Sequence, residues 1–180
     1  MVMIIKNNIM ENMLGKINEF TLSSHDLTVL DRIINLSYLE TEECLFLKVD
    51  DGVKDFGLLT SSANSSSKAE LEYNHNELCL NSYFEKKSKF ELIKLGIIVL
   101  EGWAKRFKKL YNNFKFKLVL TCSDDEASSK IFKELGIEYN DIDDTVLLRM
   151  FRVRNDIEQD YFSQEYIDSS KLEGIYVLEI

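Results

Sequence analysis

The segment from Ser88 to Tyr111 constrains the fold of this chain more than any other part of the sequence. Apolar residues recur in it at helical spacing and predict the longest helix of the chain: Ile93, Ile97, Leu100, Ala104 and Phe107. The middle of this helix is apolar on nearly every side, so the helix must be covered on several faces. Trp103, the only tryptophan, lies in that middle part, and we expect it to anchor the core against a sheet.

Shorter elements surround the long helix. Residue patterns typical of strands occur at 1–6, 43–49, 53–60, 77–83, 116–122, 145–153 and 174–180. Asp51-Gly52, between the second and third of these, is a favourable hairpin turn. Helices are predicted at 8–20, 25–39 and 124–135, with Ser24 capping the second and Gly136 ending the third. The polar stretch 60–69 is predicted to be an exposed loop.

This order of elements predicts the fold class. Strands and helices interleave, but the hairpin rules out a purely parallel sheet. We therefore predict an α/β protein of the α+β type, in which a mixed, mostly antiparallel sheet is flanked by helices and one long helix is buried. The 180 residues suffice for a single globular domain, 1–180, in which 155–180 is a C-terminal extension that ends in a strand.

The residue types that usually carry catalysis are sparse and scattered. Cys44, Cys79 and Cys122 are too far apart for a zinc or redox pair, and we expect three reduced thiols in or near the core. His25 and His75 lie 50 residues apart, and no Walker-type loop or nucleophile elbow is present. We therefore predict no catalytic residues, no metal site and no cofactor.

The net charge of −9 restricts the partners that the protein can bind. An acidic chain is poorly suited to nonspecific binding of nucleic acid or of an anionic membrane. The longest apolar run, 95–100, is far shorter than the roughly 18 residues that a membrane span needs. Because no signal peptide is visible, we expect a cytoplasmic protein.

The charge is distributed unevenly along the chain. Residues 83–117 carry 10 basic and 3 acidic side chains, and both flanks are acidic. One interpretation is that the lysines near 105–109 complement the negative C-terminal end of the long helix. The other is a cationic patch for a phosphate-bearing ligand, with candidate residues Lys86, Lys87 and Lys89.

Six of the carboxylates around the predicted helix at 124–135 form a candidate cluster, namely Asp124, Asp125, Glu126, Asp141, Asp143 and Asp144. They have three interpretations: complementation of a helix N-terminus, a partner-binding surface, or a Mg²⁺ or Ca²⁺ site. The third is disfavoured, because the regular ligand spacing and turn glycine of calcium loops are missing. We expect Arg149, Arg152 and Arg154, which alternate along a strand, to pair with Asp143 and Asp144.

Over residues 1–154 the order of elements resembles that of the GNAT-type N-acetyltransferases. LFLKVDDGVKDFGLL resembles the second and third strands of that family, and IIVLEGWAKRFKKL resembles its central helix. The pattern Asp125-x-x-Ser128-x-x-Ile131-Phe132 resembles a late family motif. The resemblance implies acetyl-CoA binding before the long helix and acyl transfer. Residues 88–93 nevertheless contain no glycine to cradle a pyrophosphate, and Phe132 stands where the family has its tyrosine.

Two functional hypotheses follow from these observations. The first is a non-catalytic cytoplasmic protein that binds a basic protein, in its most specific form an immunity-type inhibitor of a basic toxin or nuclease. It is motivated by the acidic flanks, the small single domain and the missing catalytic constellation. The second is a degenerate GNAT-like acyltransferase that binds acetyl-CoA near the basic helix.

Overall fold

A computed structural model of the chain describes residues 2–17, 19–41, 43–48, 67–84, 86–136 and 145–180. The strands are β1 (Met3–Lys6), β2 (Tyr38–Thr41), β3 (Cys44–Leu47), β4 (Leu78–Cys79), β5 (Lys115–Ser123), β6 (Val146–Val153) and β7 (Glu173–Glu179). The helices are α1 (Asn8–Gly15), α2 (Ser24–Ile34), α3 (Lys68–His75), α4 (Lys89–Leu110), α5 (Asp125–Glu134), α6 (Asp156–Asp160) and α7 (Gln164–Asp168). No helix within these ranges is long and apolar enough to cross a bilayer.

Five of the described strands form one sheet in the order β1-β7-β5-β6-β4, and β2 and β3 form a separate hairpin. Every described strand pair is antiparallel. In the central strand, Val119 lies opposite Arg149 on one side and Val177 on the other. The predicted α+β class, with a largely antiparallel sheet flanked by helices, is confirmed.

Successive side chains of β5 point alternately into two cores, one on each face of the sheet. Leu118 and Leu120 point into the larger core, which also contains the buried residues of α1, α2 and α4. Val119 points into the smaller core on the opposite face of the sheet. That core is covered by α3, α7 and the turn at 161–163. The sheet is therefore sandwiched between two layers of helices.

The long helix α4 forms as the sequence predicts. Ser88 caps its N-terminus, and the carboxylate of Glu91 in turn accepts a hydrogen bond from the backbone N–H of Ser88. Trp103 has no exposed surface, and its indole N–H donates to the carbonyl oxygen of Ile33 at 3.1 Å. The expectation that Trp103 anchors the core is confirmed. Cys44 and Cys122 are buried, Cys79 is half-buried, and these three cysteines form no disulfide.

Side chains of α3 and the residue that follows it join the hairpin strand β3 to strand β6 of the main sheet. The buried Glu72 carboxylate accepts from the backbone N–H of Leu45 and of Arg152, each at 2.7 Å. Asn76 accepts from Leu47 N–H at 2.7 Å and donates to the carbonyl oxygens of Leu45 and Met150. Side chains thus satisfy strand-edge groups that another strand would otherwise pair.

The end of the second helix differs from the prediction. The helix predicted at 25–39 is too long, because α2 ends at Ile34 and 38–41 forms β2, the partner of β3. Arg106 donates to the carbonyl oxygens of Ile34 and Leu36 at 2.9 and 2.6 Å, which closes the helix end. Although Tyr38 lies on a strand and not on the helix, its ring still packs against the core, on Phe107, with ring centroids 5.1 Å apart. The predicted hairpin partner, 53–60, lies outside the described residues.

Smaller corrections concern element boundaries. The N-cap of α2 is Ser23 rather than Ser24, and α1 ends at Gly15 rather than near residue 20. Of the strand predicted at 77–83, two residues are extended, and a 3₁₀ turn over Leu80–Ser82 follows them. The predicted loop 60–69 overlaps the start of α3, a helix that the residue pattern did not predict. Most of these differences fall at the ends of elements, where local signals are weakest.

Candidate functional site

An aromatic pocket lies on the face of the sheet that α3 and residues 155–173 cover. Its volume is about 240 Å³, and it is lined by Ala69, Glu70, Tyr73, Asn74, Phe151, Tyr161, Phe162 and Tyr166. Aromatic side chains dominate this lining, and they come from α3, from β6, from α7 and from the segment between α6 and α7. We call this feature the aromatic pocket.

The solvent exposure of the rings increases from the floor of the pocket to its rim. Phe151 and Phe162 are buried, whereas Tyr166 is 52% exposed. The ring centroid of Phe162 lies 5.0 Å from that of Tyr73 and 5.0 Å from that of Tyr166. These separations lie within the range of favourable aromatic pairs, so the rings support one another. The floor is fixed, and the rim is open to solvent.

Arg149 holds Tyr73 in place. Its guanidinium carbon lies 4.8 Å from the ring centroid of Tyr73, and Nη1 donates to the phenol oxygen at 3.2 Å. Glu77 forms an ion pair with Arg149. Burial raises the pKa of the Tyr73 phenol, although Arg149 opposes this shift, so Tyr73 stays neutral at physiological pH.

A buried lysine holds the opposite wall of the pocket. The Lys117 ammonium is 1% exposed and donates to the carbonyl oxygens of Gln159 and Tyr161, the latter at 2.7 Å. Burial lowers the pKa of Lys117, and Glu179, 3.7 Å away, opposes that shift. Phe162, directly after Tyr161, has a φ of 56°, which is unfavourable for a side chain other than glycine. Lys117 thus stabilises the turn that places Phe162 in the pocket.

The segment that supplies Tyr161, Phe162 and Tyr166 to the aromatic pocket is acidic. Residues 155–173 carry six acidic side chains and one lysine. Five of the acids are exposed, namely Asp156, Asp160, Glu165, Asp168 and Glu173. The sixth, Glu158, is buried and accepts from the backbone N–H of Ala69 and of Arg154. We call the surface formed by α3 and residues 155–173 the acidic face.

Of the six predicted partner residues, Asp124 can be placed relative to the acidic face. Its backbone N–H donates to the carbonyl oxygen of Leu172 at 2.8 Å, and the preceding residue, Ser123, pairs with Glu173. Asp124 therefore borders the acidic face and directly precedes α5. Asp125 and Glu126 begin α5, and their side chains lie outside the described part of the structure. Asp141, Asp143 and Asp144 also lie outside the described residues.

We expected the three strand arginines to pair with Asp143 and Asp144, which lie outside the described residues, so that pairing stays a prediction. Among the described residues, Arg152 stacks on the ring of Phe114 at 3.3 Å. Arg149 pairs with Glu77, and Arg154 pairs with Glu72 at 2.7 Å. Both carboxylates come from α3 and the residues just after it, which lie beside β6. No local pattern in the sequence indicates this proximity.

The predicted phosphate-binding lysines have separate surroundings. Lys87 pairs with Asp26 of α2 at 2.9 Å, and Lys89 donates to the carbonyl oxygen of Ser123 at 3.4 Å. Lys86 is exposed, with a φ of 61°. The nearby N-terminus of α4 is already occupied by the Glu91 carboxylate of its capping box.

Lys86 lines a second, larger groove of about 830 Å³ between α2 and the segment 77–86. Two carboxylates in this groove are paired elsewhere, Asp26 with Lys87 and Glu77 with Arg149. Two cations, Arg32 and Lys86, also line it. Within the described part of the chain, neither of these two has a carboxylate within ion-pair distance. Among the described residues that line the groove, Arg32 and Lys86 are therefore the two cations available to an anionic ligand.

The aromatic pocket is not among the features predicted from the sequence. One signal was present: 155–173 combines six acids with Tyr161, Phe162 and Tyr166. The contribution of Tyr73 had no local signal, because its helix was not predicted. Comparison of the chain with protein-family models, with curated proteins and with solved structures gives no match. We therefore interpret the site from its own geometry and charge.

Proposed function

We propose that this chain is a non-catalytic cytoplasmic protein that binds a basic protein through its acidic face. The observation that carries the proposal is an aromatic pocket whose walls are fixed by Arg149 and Lys117, built in part from a segment that exposes five carboxylates. Aromatic residues are enriched at the energetic centres of protein interfaces, and polar residues at their rims. The most specific form of the proposal is an immunity-type inhibitor of a basic toxin or nuclease.

The use of the buried polar groups supports a binding role over a catalytic one. Asn7, Glu72, Asn76, Lys117 and Glu158 are all buried. Each of them hydrogen-bonds to backbone groups of neighbouring elements. Side chains committed in this way position the fold, and they are not poised to exchange protons with a substrate.

Complementary charge would act mainly on the rate of association. A basic partner approaching the acidic face is attracted over a distance of about 10 Å at moderate salt, and salt weakens the attraction. Asp124 extends the same surface beyond Leu172. We propose that the binding surface continues beyond Asp124 to the other predicted partner residues: Asp125, Glu126, Asp141, Asp143 and Asp144.

The test uses a basic toxin encoded by a neighbouring gene, with association measured by surface plasmon resonance at low and high salt. A triple variant, Asp156→Lys, Asp160→Lys and Glu165→Lys, should slow association by about tenfold or more. A matched variant on the opposite face, Lys105→Glu with Lys108→Glu and Lys109→Glu, should leave association unchanged or faster. If the protein neither binds nor protects against such a toxin, even at low salt, the proposal fails.

A second candidate function rests on the groove lined by Arg32 and Lys86. Its volume of about 830 Å³ falls within the range of small-ligand sites, and these two cations suit an anion. The resemblance to GNAT-type acetyltransferases would make that anion acetyl-CoA. Calorimetric titration with acetyl-CoA and thermal denaturation in its presence test this candidate. Ligand at 100 times its Kd should add about 2.7 kcal/mol of stability. If millimolar acetyl-CoA gives no binding heat and no thermal stabilisation, the candidate is ruled out.

A further inference from the structure

We propose that the aromatic pocket receives a single arginine side chain of the basic partner. This inference rests on the proposed function and names the group that the acidic face recognises. The pocket's volume, about 240 Å³, is below the roughly 300–1,000 Å³ of sites for drug-sized ligands. It therefore suits one inserted side chain better than a free small molecule.

The walls of the pocket favour a cation over an apolar side chain. Aromatic rings carry negative charge on their faces and attract cations within about 6 Å. Three rings, those of Tyr73, Phe162 and Tyr166, follow one another at 5.0 Å centroid separations. Glu70 lines the same pocket, and Glu173 is close enough to Tyr73 to raise the pKa of its phenol.

The positive charge already present near the pocket is compensated. Arg149 covers the ring of Tyr73, but its guanidinium is paired with Glu77. Lys117 lies behind the Tyr161–Phe162 turn and is 1% exposed, with Glu179 within 3.7 Å. The exposed charged side chains of 155–173 are five carboxylates and one lysine, Lys171, so this segment adds net negative charge beside the pocket.

Arginine fits this surface better than lysine does. Its planar guanidinium stacks on aromatic rings, is more weakly hydrated than an ammonium, and donates two hydrogen bonds to one carboxylate. This chain already packs arginines on rings at three places. Arg149 lies over Tyr73, Arg106 over Tyr38 at 4.6 Å, and Arg152 over Phe114 at 3.3 Å. A partner arginine at the open rim would repeat this arrangement between molecules.

The pocket is arranged before any partner arrives. Phe151 is 1% exposed and forms part of the buried floor, while Lys117 and Arg149 fix the two sides. Tyr166, which is 52% exposed and packs on Phe162, forms the open rim. Such preorganisation lowers the cost of ordering the site during binding.

The experiment titrates the full ¹⁵N-labelled chain with blocked Gly-Arg-Gly tripeptide and follows backbone amides by NMR. Citrulline, which has the same shape without the charge, replaces arginine in the matched probe. We expect saturable shifts at residues 73, 161, 162 and 166 with the arginine peptide. The citrulline peptide should bind about tenfold more weakly, the ratio expected for a cation–π contact of about 1.4 kcal/mol.

Two variants separate the pocket from general surface charge. Tyr166→Ala should weaken arginine-peptide binding by about fivefold or more, and Tyr166→Phe, which keeps the ring, should retain it. Leu110→Ala, at an exposed position on the far side of the sheet, should change nothing. Because Tyr166 is 52% exposed, its loss leaves the fold intact, which the dispersion of the same spectra verifies.

Several results would overturn the inference. Equal binding of the arginine and citrulline peptides shows that charge is not recognised, and tighter binding of a lysine peptide assigns the pocket to an ammonium. Shifts that persist in Tyr166→Ala place the peptide elsewhere on the acidic face. If a basic partner binds while the arginine peptide does not, the proposed function stands and this inference fails. If the peptide binds in the pocket but no basic protein binds the chain, the arginine site stands and the proposed function fails.

Discussion

Among single residues, Trp103 makes the largest side-chain contribution to the buried core. It has no exposed surface and its N–H is satisfied by the Ile33 carbonyl. Trp103→Ala should lower the free energy of unfolding by about 3–5 kcal/mol, through lost burial and an unfilled cavity. Urea denaturation measures this loss.

Leu110 provides the control for Trp103 on the same helix. It is 54% exposed, so Leu110→Ala should change stability by less than about 0.5 kcal/mol. A loss below about 1 kcal/mol for Trp103→Ala would contradict its place in the core. Water-like tryptophan fluorescence in the native protein would contradict it independently.

At the scale of one element, α3 and the residue that follows it join two strands that do not pair with each other. Asn76→Ala would leave the N–H of Leu47 and the carbonyl oxygens of Leu45 and Met150 without their side-chain partner. Because unsatisfied buried groups retain their desolvation cost, we expect a loss of about 2–3 kcal/mol. Hydrogen exchange at the backbone amides of Leu45 and Leu47 should be faster in Asn76→Ala than in the parent protein.

Asn74, on α3, supplies the matched control. It is exposed, and Asn74→Ala removes the same chemical group without touching the join between β3 and β6. We expect stability to change by less than about 0.5 kcal/mol. Equal effects of the two substitutions would show that Asn76 does not tie β3 to β6.

The capping box of α4 makes a pH-dependent contribution. Hydrogen bonds from the backbone N–H and hydroxyl of Ser88 lower the pKa of Glu91 in the folded state. Stability from a lowered pKa is present above the unfolded pKa, near ~4.3, and is lost as pH falls through the folded value. The destabilisation caused by Glu91→Gln should therefore be larger at about pH 7 than at about pH 3.

Denaturation midpoints of the parent and variant at the two pH values test this prediction. Glu101→Gln, at an exposed position further along α4, serves as the control because Glu101 takes no part in the capping box. A destabilisation by Glu91→Gln that is equal at neutral and acidic pH would show that the carboxylate charge does not stabilise the helix start.

For the whole molecule, two described surfaces on opposite sides of the sheet differ in charge. The acidic face carries five exposed carboxylates from 155–173, whereas α4 exposes Lys105, Lys108 and Lys109 on the other side. Such a distribution orients an approaching charged partner before contact.

The predicted acids at 141–144 test how far the binding surface extends. Asp141→Lys with Asp143→Lys and Asp144→Lys should preserve the fold but slow association with a basic partner and flatten its salt dependence. Stopped-flow association at several salt concentrations measures both effects. Unchanged association would limit the contact to the acidic face around the aromatic pocket, or move it to Glu40, Glu42 and Glu43.

Local patterns in the sequence were sufficient to predict several parts of this structure. Helical spacing and the Ser88 cap defined α4, strand patterning located β5, β6 and β7, and Gly136, with a φ of 69°, follows the end of α5 as predicted. The burial of Trp103 followed from its position in an apolar helix. These features depend on residues within one or two turns of each other, so a linear pattern contains them.

Contacts between distant segments could be known only from the folded chain. Arg106 donates to the carbonyl oxygen of Ile34, the last residue of α2, and β3 pairs with β2. The aromatic pocket joins Tyr73 of α3 to Tyr166 of α7 across β6. Such contacts depend on which surfaces pack together once the sheet forms. Packing is set by the complementarity of the whole core, which no local spacing of residues records.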